Sequence, residues 1–390
     1  MLSDVCGVQD LLAEVVGFRS GEALLLPLGD CAGVSMGAEV IRTHQPLRVR
    51  VGEDLLGRVI NGLGEPIDGL GPLQGAWREV TARPPAALQR QRVSQIMPTG
   101  VRSIDALLSV GEGQRVGLIA AAGVGKSTLL GMLARGCEAD VTVVGLIGER
   151  GREVRDFIER DLGVEGLQRS VVIVATSDEP ALVRVKAAHA ATAVAEHFRE
   201  RGLRVLLLLD SITRFARALR EVGLAAGEPP ARAGFPPSTF AELPRLLERA
   251  GNSARGSITA FYTVLVEGDD MSEPVADETR SILDGHIVLS RALAEGGHFP
   301  AVDIGKSISR VMGDVATLEH ALRARKLREV LSVYEDKKDL IAVGAYKRGL
   351  DTKTDAALAK TDSINAFLQQ ESGEHARFDL TLNQLQMLFP

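Results

Sequence analysis

The chain contains little cysteine, few aromatic residues and no long apolar run. Its three cysteines among 390 residues are Cys6, Cys31 and Cys137, an odd number without metal-ligand spacing, so we expect reduced thiols in a cytoplasmic protein. Aromatic residues make up 4% of the chain, which provides few stacking platforms for single-stranded nucleic acid. The longest apolar runs, such as RVLLLLD, have the length of a strand and fall well short of the ~20 residues of a membrane span.

Positive charge is not in excess either. The formal net charge is −6, which argues against a protein that mainly grips nucleic acid. The first ten residues, MLSDVCGVQD, show no basic stretch followed by an apolar one, so we expect no secretory signal. With 45% hydrophobic and 25% charged residues, the composition is that of a soluble globular protein, and the length suggests two or three domains.

Alternating strands and helices dominate the middle of the chain. Near-continuous apolar segments are each followed by a helical pattern, and they lie at 115–120, 141–147, 170–177 and 204–210. The helix after the third of them is predicted to begin at Pro180. Such a pattern predicts an α/β fold with a parallel sheet that is covered on both faces.

The flanking segments have other characters. Residues 1–47 read as short strands separated by turns, which suggests part of a small β-barrel or sandwich. The Gly- and Pro-rich stretch 57–73 is predicted to be a connecting loop, and 222–244, with two Pro-Pro pairs, a long functional loop. From about residue 317 the pattern is helical.

The stretch RVGLIAAAGVGKSTLL, residues 115–130, approximates a phosphate-binding loop. Backbone N–H groups at a helix N-terminus cradle phosphate oxygens in this motif, while its lysine reaches the β- and γ-phosphates and its serine holds Mg²⁺. Ala120 replaces the usual first glycine, but it ends the strand and can keep ordinary dihedral angles. A ligand-free strand-to-helix turn is the alternative, and the apolar strand and helix on either side argue against it. The predicted nucleotide-binding residues are Ala122, Gly123, Val124, Gly125, Lys126, Ser127 and Thr128.

Two acids follow predicted strands and therefore point towards the same crevice. Asp210 ends VLLLLD, where it would lie near Ser127 and Mg²⁺, although it could also cap the next helix. Glu149 follows VTVVGLIG, where it could activate the water that attacks the γ-phosphate. An acid in the first turn of a helix is an equally good interpretation of Glu149.

Two further residues have both an ordinary and a functional interpretation. Arg310, in GKSISRVMG, is either a surface charge or an arginine finger for a neighbouring subunit. Phe299, in HFPAVD, is either a core aromatic or a face on which adenine stacks. Spacing alone does not decide either case.

Several long motifs together resemble the type III secretion ATPases, cytoplasmic hexameric relatives of the catalytic subunit of rotary ATP synthases. They include GRVINGLGEPIDG, VVGLIGERGREVRDFIE, LLLLDSITRFARALREV and RSILDGHIVLSRALAEGGHFPAVDIGKSISRV. The resemblance runs from about residue 48 to the end. It implies a RecA-like P-loop ATPase domain at 48–316, after a small and apparently incomplete N-terminal β-barrel at 1–47 and before an α-helical C-terminal domain at 317–390.

The resemblance also implies roles for individual residues. Lys126 and Ser127 would bind the phosphates of ATP and Mg²⁺, with Asp210 as the second acid near the metal. Glu149 would be the catalytic carboxylate, with Arg150 beside it. Across the subunit interface Arg310 would act as the finger, and Phe299 would pack on adenine.

The implied function is ATP hydrolysis in a homohexameric ring that drives chaperone release, unfolding and export of proteins. Implied partners are a central stalk protein, a stator-like regulator, export chaperones with their substrates, and the export gate at the inner membrane, with no nucleic acid. The implied location is cytoplasmic and peripheral to that membrane. Both flagellar and injectisome systems fit.

The main alternative is a catalytic subunit of a rotary ATP synthase or ion-pumping ATPase. Such a machine needs a noncatalytic partner to lend the finger, whereas Lys126, Glu149 and Arg310 stand in one chain. An RNA-translocating hexamer fits the acidic charge and few aromatics poorly. A noncatalytic regulatory subunit would have little need for Glu149.

Overall fold

The computed structural model describes residues 2–3, 11–35, 37–268 and 270–390, with the backbone alone for 2–3. Cys6 lies outside these residues, so its predicted state cannot be compared; Cys31 is exposed, Cys137 is buried, and both are free thiols. In these ranges the strands are β1 (Leu2–Ser3), β2 (Ala13–Arg19), β3 (Glu22–Pro27), β4 (Glu39–Val40), β5 (Arg48–Val51), β6 (Val59–Asn61), β7 (Ala76–Glu79), β8 (Arg115–Ala120), β9 (Val141–Glu149), β10 (Ser170–Thr176), β11 (Arg204–Asp210), β12 (Gly251–Asn252), β13 (Ser257–Leu265), β14 (Gly285–Val288) and β15 (Ile308–Ser309). The helices are α1 (Arg102–Leu107), α2 (Lys126–Gly136), α3 (Gly151–Asp156), α4 (Gly163–Gln168), α5 (Ala181–Glu200), α6 (Ile212–Ala225), α7 (Pro237–Leu247), α8 (Pro274–Ile282), α9 (Arg291–Glu295), α10 (Met312–Val315), α11 (Leu318–Ala342), α12 (Thr352–Leu368) and α13 (Phe378–Leu388).

A mixed sheet forms the centre of the molecule. Its path in the described residues runs β15-β14-β8-β13-β11-β9-β10-β6, and β12 pairs with β13. From β14 to β6 every neighbouring pair on this path is parallel, while β15 and β12 are antiparallel to their neighbours. The predicted α/β class is therefore confirmed, and the carboxyl ends of β8, β9, β11 and β13 meet at one edge.

Both faces of this sheet are buried, which explains the continuous apolar runs. Along β11, Val205 and Leu207 enter one hydrophobic cluster, whereas Leu206 and Leu208 enter the other. Residues of α5, α6 and α7 cover the first cluster. Residues of α1, α2 and the C-terminal helices cover the second. Because successive side chains alternate between faces, a strand buried on both sides needs apolar residues at nearly every position.

The predicted loop at 57–73 contains a strand. Val59–Asn61 forms β6 and pairs in parallel with Val172–Val174 of β10, so it is the edge of the main sheet. The Gly- and Pro-rich remainder folds back on this strand, because Arg58 donates two hydrogen bonds to Asp68, at 2.7 and 2.9 Å. These bonds hold the pKa of the Asp68 carboxyl well below its usual range. The sequence analysis missed β6 because a strand of three residues, surrounded by turn-forming residues, is too short to show a recognisable apolar pattern.

The predicted long loop at 222–244 is also shorter than expected. Helix α6 continues to Ala225 and α7 begins at Pro237, so only 226–236 connect them. Pro237 is compatible with the first turn of a helix because its missing N–H group has no partner there in any case. Helix α5 similarly begins at Ala181, with Pro180 at the N-cap position, one residue later than predicted.

The N-terminal region is joined to the sheet through side chains. Strands β2 and β3 form an antiparallel hairpin, and β1 pairs with β4. The Lys186 ammonium on α5 donates a 2.7 Å hydrogen bond to Glu14 Oε1 on β2. The described strands of residues 1–47 thus make two separate two-stranded sheets, and the partial barrel stays a prediction.

Three helices, α11, α12 and α13, close the chain and lie in the region for which the sequence predicts helix. Buried side chains of these helices, among them Leu327, Ile364 and Leu385, join the cluster that includes Ile104 of α1. The C-terminal helices therefore pack against α1, which belongs to the hydrophobic cluster on one face of the sheet. In the part of the chain that the structure describes, no helix has the length and apolar character needed to cross a membrane.

Candidate active site

The phosphate loop connects β8 to α2, as predicted. Ala120 is the buried last residue of the strand and keeps an extended backbone, so the missing first glycine has no structural cost. Gly123 and Gly125 have φ angles of +80° and +87°, which side chains rarely tolerate. A Cβ added at Gly123 would meet no atom within 4 Å, so the backbone conformation and not crowding requires this glycine.

The first turn of α2 presents backbone donors and exposed hydroxyls. The N-cap residue, Gly125, has no side chain that could accept a bond from the following N–H groups. Ser127 and Thr128 are exposed, whereas Val124 is buried and anchors the loop. This end of the helix combines unpaired N–H groups with the positive end of its dipole, which suits a phosphate.

Lys126 lies between two buried carboxylates. Its Nζ donates to both oxygens of Asp210, at 2.5 Å for Oδ2, and is 3.7 Å from Glu149 Oε1. Asp210 and Glu149 are 4% and 6% exposed and end the neighbouring strands β11 and β9. The structure therefore brings together the lysine and both acids that the sequence singled out.

Glu149 has the environment of a general base. Burial, followed by the negative charge of Asp210, raises its pKa to about 7, although Lys126 and Arg214 act in the opposite direction. A carboxyl group with a pKa near the working pH can accept a proton and release it again. The alternative position of Glu149 in the first turn of a helix is excluded, because it ends β9 and Arg150 is the N-cap of α3.

Arg214 is a site residue that the sequence reasoning missed. Its Nε lies 3.1 Å from Glu149 Oε1, and its Nη2 donates a 3.4 Å hydrogen bond to Oε2. The first turn of α6 places it there, because Ser211 caps that helix by accepting from the Arg214 N–H at 3.3 Å. Ser211 and not Asp210 is thus the cap, which removes the ordinary interpretation of Asp210. The available signal was an arginine in the first turn after a strand-end acid.

Phe299 lies beside the phosphate loop. The side chain is 45% exposed, so it is no core aromatic. A Cβ added at Gly125 would be 3.4 and 3.5 Å from two carbons of its ring. An exposed aromatic face next to the loop is compatible with a stacked base, and the contact with adenine stays a prediction.

Arg150 and Arg310 do not join the Lys126 cluster. The Arg150 side chain is 78% exposed and is 3.6 Å from Glu153. Arg310 is exposed and follows β15 at the far edge of the sheet, where its Nη2 donates a 3.3 Å hydrogen bond to the Arg280 carbonyl. Their catalytic roles remain predictions.

Comparison with known proteins identifies the family. The family described as "ATP synthase alpha/beta family, nucleotide-binding domain" matches residues 100–309, more than half of the chain. A second match, "T3SS EscN ATPase C-terminal domain", covers residues 316–387. The chain belongs to the ATP synthase α/β family. Within it, the second match and the relatives below assign this ATPase to the type III secretion and flagellum-specific group, which confirms the resemblance.

Two relatives and one solved structure show how far the similarity extends. The chain is 54% identical to the type 3 secretion system ATPase of Xanthomonas euvesicatoria over 96% of its length and 85% of that protein. It is also 54% identical to the flagellum-specific ATP synthase of Bacillus subtilis, over 96% and 86%. The assembled ATPase EscN of enteropathogenic E. coli, in complex with its central stalk EscO, is 47% identical with a TM-score of 0.91, over 97% of this chain and 92% of that one.

The donor set of this ATPase fits Mg²⁺ bound together with a nucleotide. Among the described residues no group of three His, Cys, Asp or Glu side chains could hold a metal by itself. Mg²⁺ usually takes one or two protein oxygens and completes its shell with phosphate oxygens and water. The exposed Ser127 hydroxyl, which follows Lys126 in the sequence, and the carboxylate of Asp210, which Lys126 contacts, are oxygens of the required kind.

Proposed function

We propose that this chain hydrolyses ATP with Mg²⁺ in a homohexameric ring and that hydrolysis drives chaperone release, unfolding and export of proteins. The observation that carries the proposal is the buried cluster of Lys126, Asp210 and Glu149 beside the phosphate loop. This cluster brings the proposed phosphate-binding lysine and the proposed proton acceptor together in one chain. Family membership supplies the substrate class.

The residues divide the reaction between them. Lys126 would exchange its bonds to Asp210 for phosphate oxygens, and the N–H groups of residues 122–128 would hold the remaining phosphate charge. Ser127 and Asp210 would hold Mg²⁺, which neutralises charge on the phosphate oxygens. Glu149 would accept a proton from the attacking water. The oxygen of that water forms a bond to the γ-phosphorus, and the bond between the γ-phosphorus and the bridging oxygen breaks, which releases ADP.

Arg214 would hold Glu149 in place during this step. Its guanidinium contacts both carboxylate oxygens and so fixes the plane of the carboxyl group. A positive charge there also favours the ionised base. Phe299 would support the adenine ring.

Arg310 would complete the site of a neighbouring subunit. It is exposed, and its guanidinium donates a hydrogen bond to the backbone carbonyl of Arg280. An arginine finger contributes about 10³ to 10⁵ in turnover when it reaches the transferred phosphoryl group. Arg150, exposed next to Glu149, is proposed to assist at the same interface.

The wider assembly is inferred from the relatives. We propose a division into 1–47, 48–316 and 317–390, with the ring formed by the middle part. Residues 226–236 and the C-terminal helices would face a central stalk protein, since EscN was solved with its stalk EscO. Further proposed partners are a stator-like regulator, export chaperones with their cargo, and the export gate. The protein would work on the cytoplasmic side of the inner membrane.

Mixing two inactive variants tests the shared site. Glu149→Gln removes the proton acceptor, and Arg310→Ala removes the finger. Each alone is expected to lose hydrolysis, while a 1:1 mixture regains it, because about one interface in four joins an intact Glu149 to an intact Arg310. The measurement is steady-state phosphate release per subunit against total protein concentration.

Two controls make the outcome interpretable. Glu149→Gln mixed with Glu149→Gln/Arg310→Ala contains no complete interface and should stay inactive. Recovery in the first mixture alone supports a finger supplied between copies of this chain. If neither mixture recovers while wild type is active, the finger acts within one subunit. If wild type is inactive at every concentration but binds nucleotide, a different partner subunit lends the finger, which is the rotary alternative.

A further inference from the structure

Thr263 is the residue next to Asp210 that the mechanism has not used. It lies near the carboxyl end of β13, between the strand that leads to the phosphate loop and the strand that ends in Asp210. The side chain is fully buried. Its hydroxyl donates a 2.6 Å hydrogen bond to Asp210 Oδ1. The Leu209 carbonyl is a second, more distant neighbour, at 3.4 Å.

The direction of this bond is determined by chemistry. An ionised carboxylate can only accept hydrogen bonds, so the single proton of the Thr263 hydroxyl must point at Asp210. The β-branched side chain has a restricted χ1, and the buried strand holds its backbone. The donor therefore approaches Oδ1 from a fixed position.

Lys126, the other partner of Asp210, is of a different kind. It carries its charge on a flexible four-carbon stem and is also 3.7 Å from Glu149. In the proposed reaction it turns to phosphate oxygens. Asp210 would then keep one fixed donor, Thr263, at the moment when it has to hold the metal.

We propose that Thr263 is a positioning residue that holds the Asp210 carboxylate in the orientation that binds Mg²⁺. This inference rests on the proposed function. Without the Thr263 donor, the carboxylate would be free to rotate about its terminal torsion, which is broad for aspartate. The affinity of the nucleotide complex for the metal should fall. Mutation of a residue that hydrogen-bonds to a metal ligand commonly lowers metal affinity by about 10- to 100-fold.

The test compares three variants of the same strand. Thr263→Val keeps the shape and removes the donor, and Thr263→Ser keeps the donor. Thr259→Val is the matched control, because Thr259 is equally buried on the same strand and its hydroxyl accepts from the Gly113 N–H at the other end. Mn²⁺ serves as the probe in place of Mg²⁺, and its binding to the ADP complex is measured by electron paramagnetic resonance.

The expected result is a loss of Mn²⁺ affinity of about tenfold in Thr263→Val, with ADP affinity in the absence of metal unchanged. Thr263→Ser and Thr259→Val should bind Mn²⁺ like the wild type. Equal Mn²⁺ affinity in Thr263→Val and wild type overturns the inference, as does an equal loss in Thr259→Val. A wild type that binds ADP but retains no Mn²⁺ overturns the proposed metal site itself. Should Thr263→Val unfold, Thr263→Ala removes the same donor, and the same outcomes apply.

Discussion

Two edges of the main sheet differ in how their charges are paired. At the carboxyl ends of β9 and β11, Glu149 and Asp210 are buried and share Lys126. Beyond β15, Arg310 is exposed and bonded to one backbone carbonyl at 3.3 Å. The first arrangement is complete within one chain, because buried charges need partners at hand. The second leaves an arginine available to another surface, which is how a finger for a neighbouring subunit has to be presented.

Replacing Arg310 should have the largest effect on turnover. Arg310→Lys keeps the charge but loses the planar fork, so we expect kcat to fall about 10³-fold or more. Thermal unfolding should not change, since exposed substitutions usually stay within about 0.5 kcal/mol. Arg325→Lys, an exposed arginine on α11, is the control. Wild-type kcat in Arg310→Lys would show that this edge plays no catalytic part.

Glu149→Gln should have the second largest effect on turnover, with kcat lower by about 10² to 10⁴. Nucleotide affinity is expected to remain, because Lys126 and the phosphate loop are intact. Steady-state hydrolysis and the binding of a fluorescent ATP analogue measure the two properties separately. Glu159→Gln, an exposed acid ten residues later, should keep its activity. Loss of nucleotide binding in Glu149→Gln would instead indicate that the buried cluster has collapsed.

Phe299→Ala should raise the KM for ATP about tenfold, because stacking of a base on an aromatic ring contributes about 1–3 kcal/mol. The value of kcat should change little, since the proposed mechanism gives the ring no part in proton transfer or phosphate transfer. Phe18→Ala, an exposed aromatic on the N-terminal hairpin, is the matched control. An unchanged KM would show that adenine does not stack on Phe299.

The last prediction does not concern turnover: it is a pH dependence of stability that only the buried edge shows. The pKa of Glu149 is raised to about 7, so the folded chain keeps a proton that the unfolded chain has lost above its ordinary value near 4.5. Fewer protons on the unfolded state mean that stability contributed by this group falls as pH rises from about 4.5 to about 7. Above that window the contribution is constant.

Denaturant unfolding between pH 5 and 8 measures this effect. The free energy of unfolding of wild type relative to Glu149→Gln should decline across the window, because glutamine does not titrate. Arg310→Lys should run parallel to wild type throughout. A flat difference between wild type and Glu149→Gln would mean that the folded and unfolded pKa values of Glu149 are alike.

The phosphate loop shows what a sequence predicts well. Its strand, its glycines and the helix that follows are local features, and each was recognised from residues 115–130. The structure adds the positive φ angles of Gly123 and Gly125 and the start of the helix at Lys126. Glu149 and Asp210 were located at strand ends for the same reason, since apolar runs show where buried strands stop. The sequence could not decide whether Asp210 caps a helix or whether Glu149 lies in a first helical turn. Both alternatives depend on the exact residue at which the strand ends and the helix begins.

Other features escaped because they depend on distant partners. Val59–Asn61 is a strand only because β10 offers it a free edge more than 100 residues later. Arg214 contacts Glu149 from 65 residues away, and its place in the first helical turn after Asp210 was the one local signal, which does not show that it meets Glu149. Pro237 begins a helix inside a stretch whose prolines predict a loop. In each case packing outweighed the local pattern.

The sequence by itself determined the order of strands and helices, the phosphate-binding turn and the positions of the acids, because these follow from backbone conformation and apolar periodicity over short stretches. Only the tertiary structure decided which charges meet. Lys126 finds Asp210 84 residues away, and both are enclosed with Glu149 where water is largely excluded. That enclosure raises the pKa of Glu149, since the energy of a charge depends on everything packed around it.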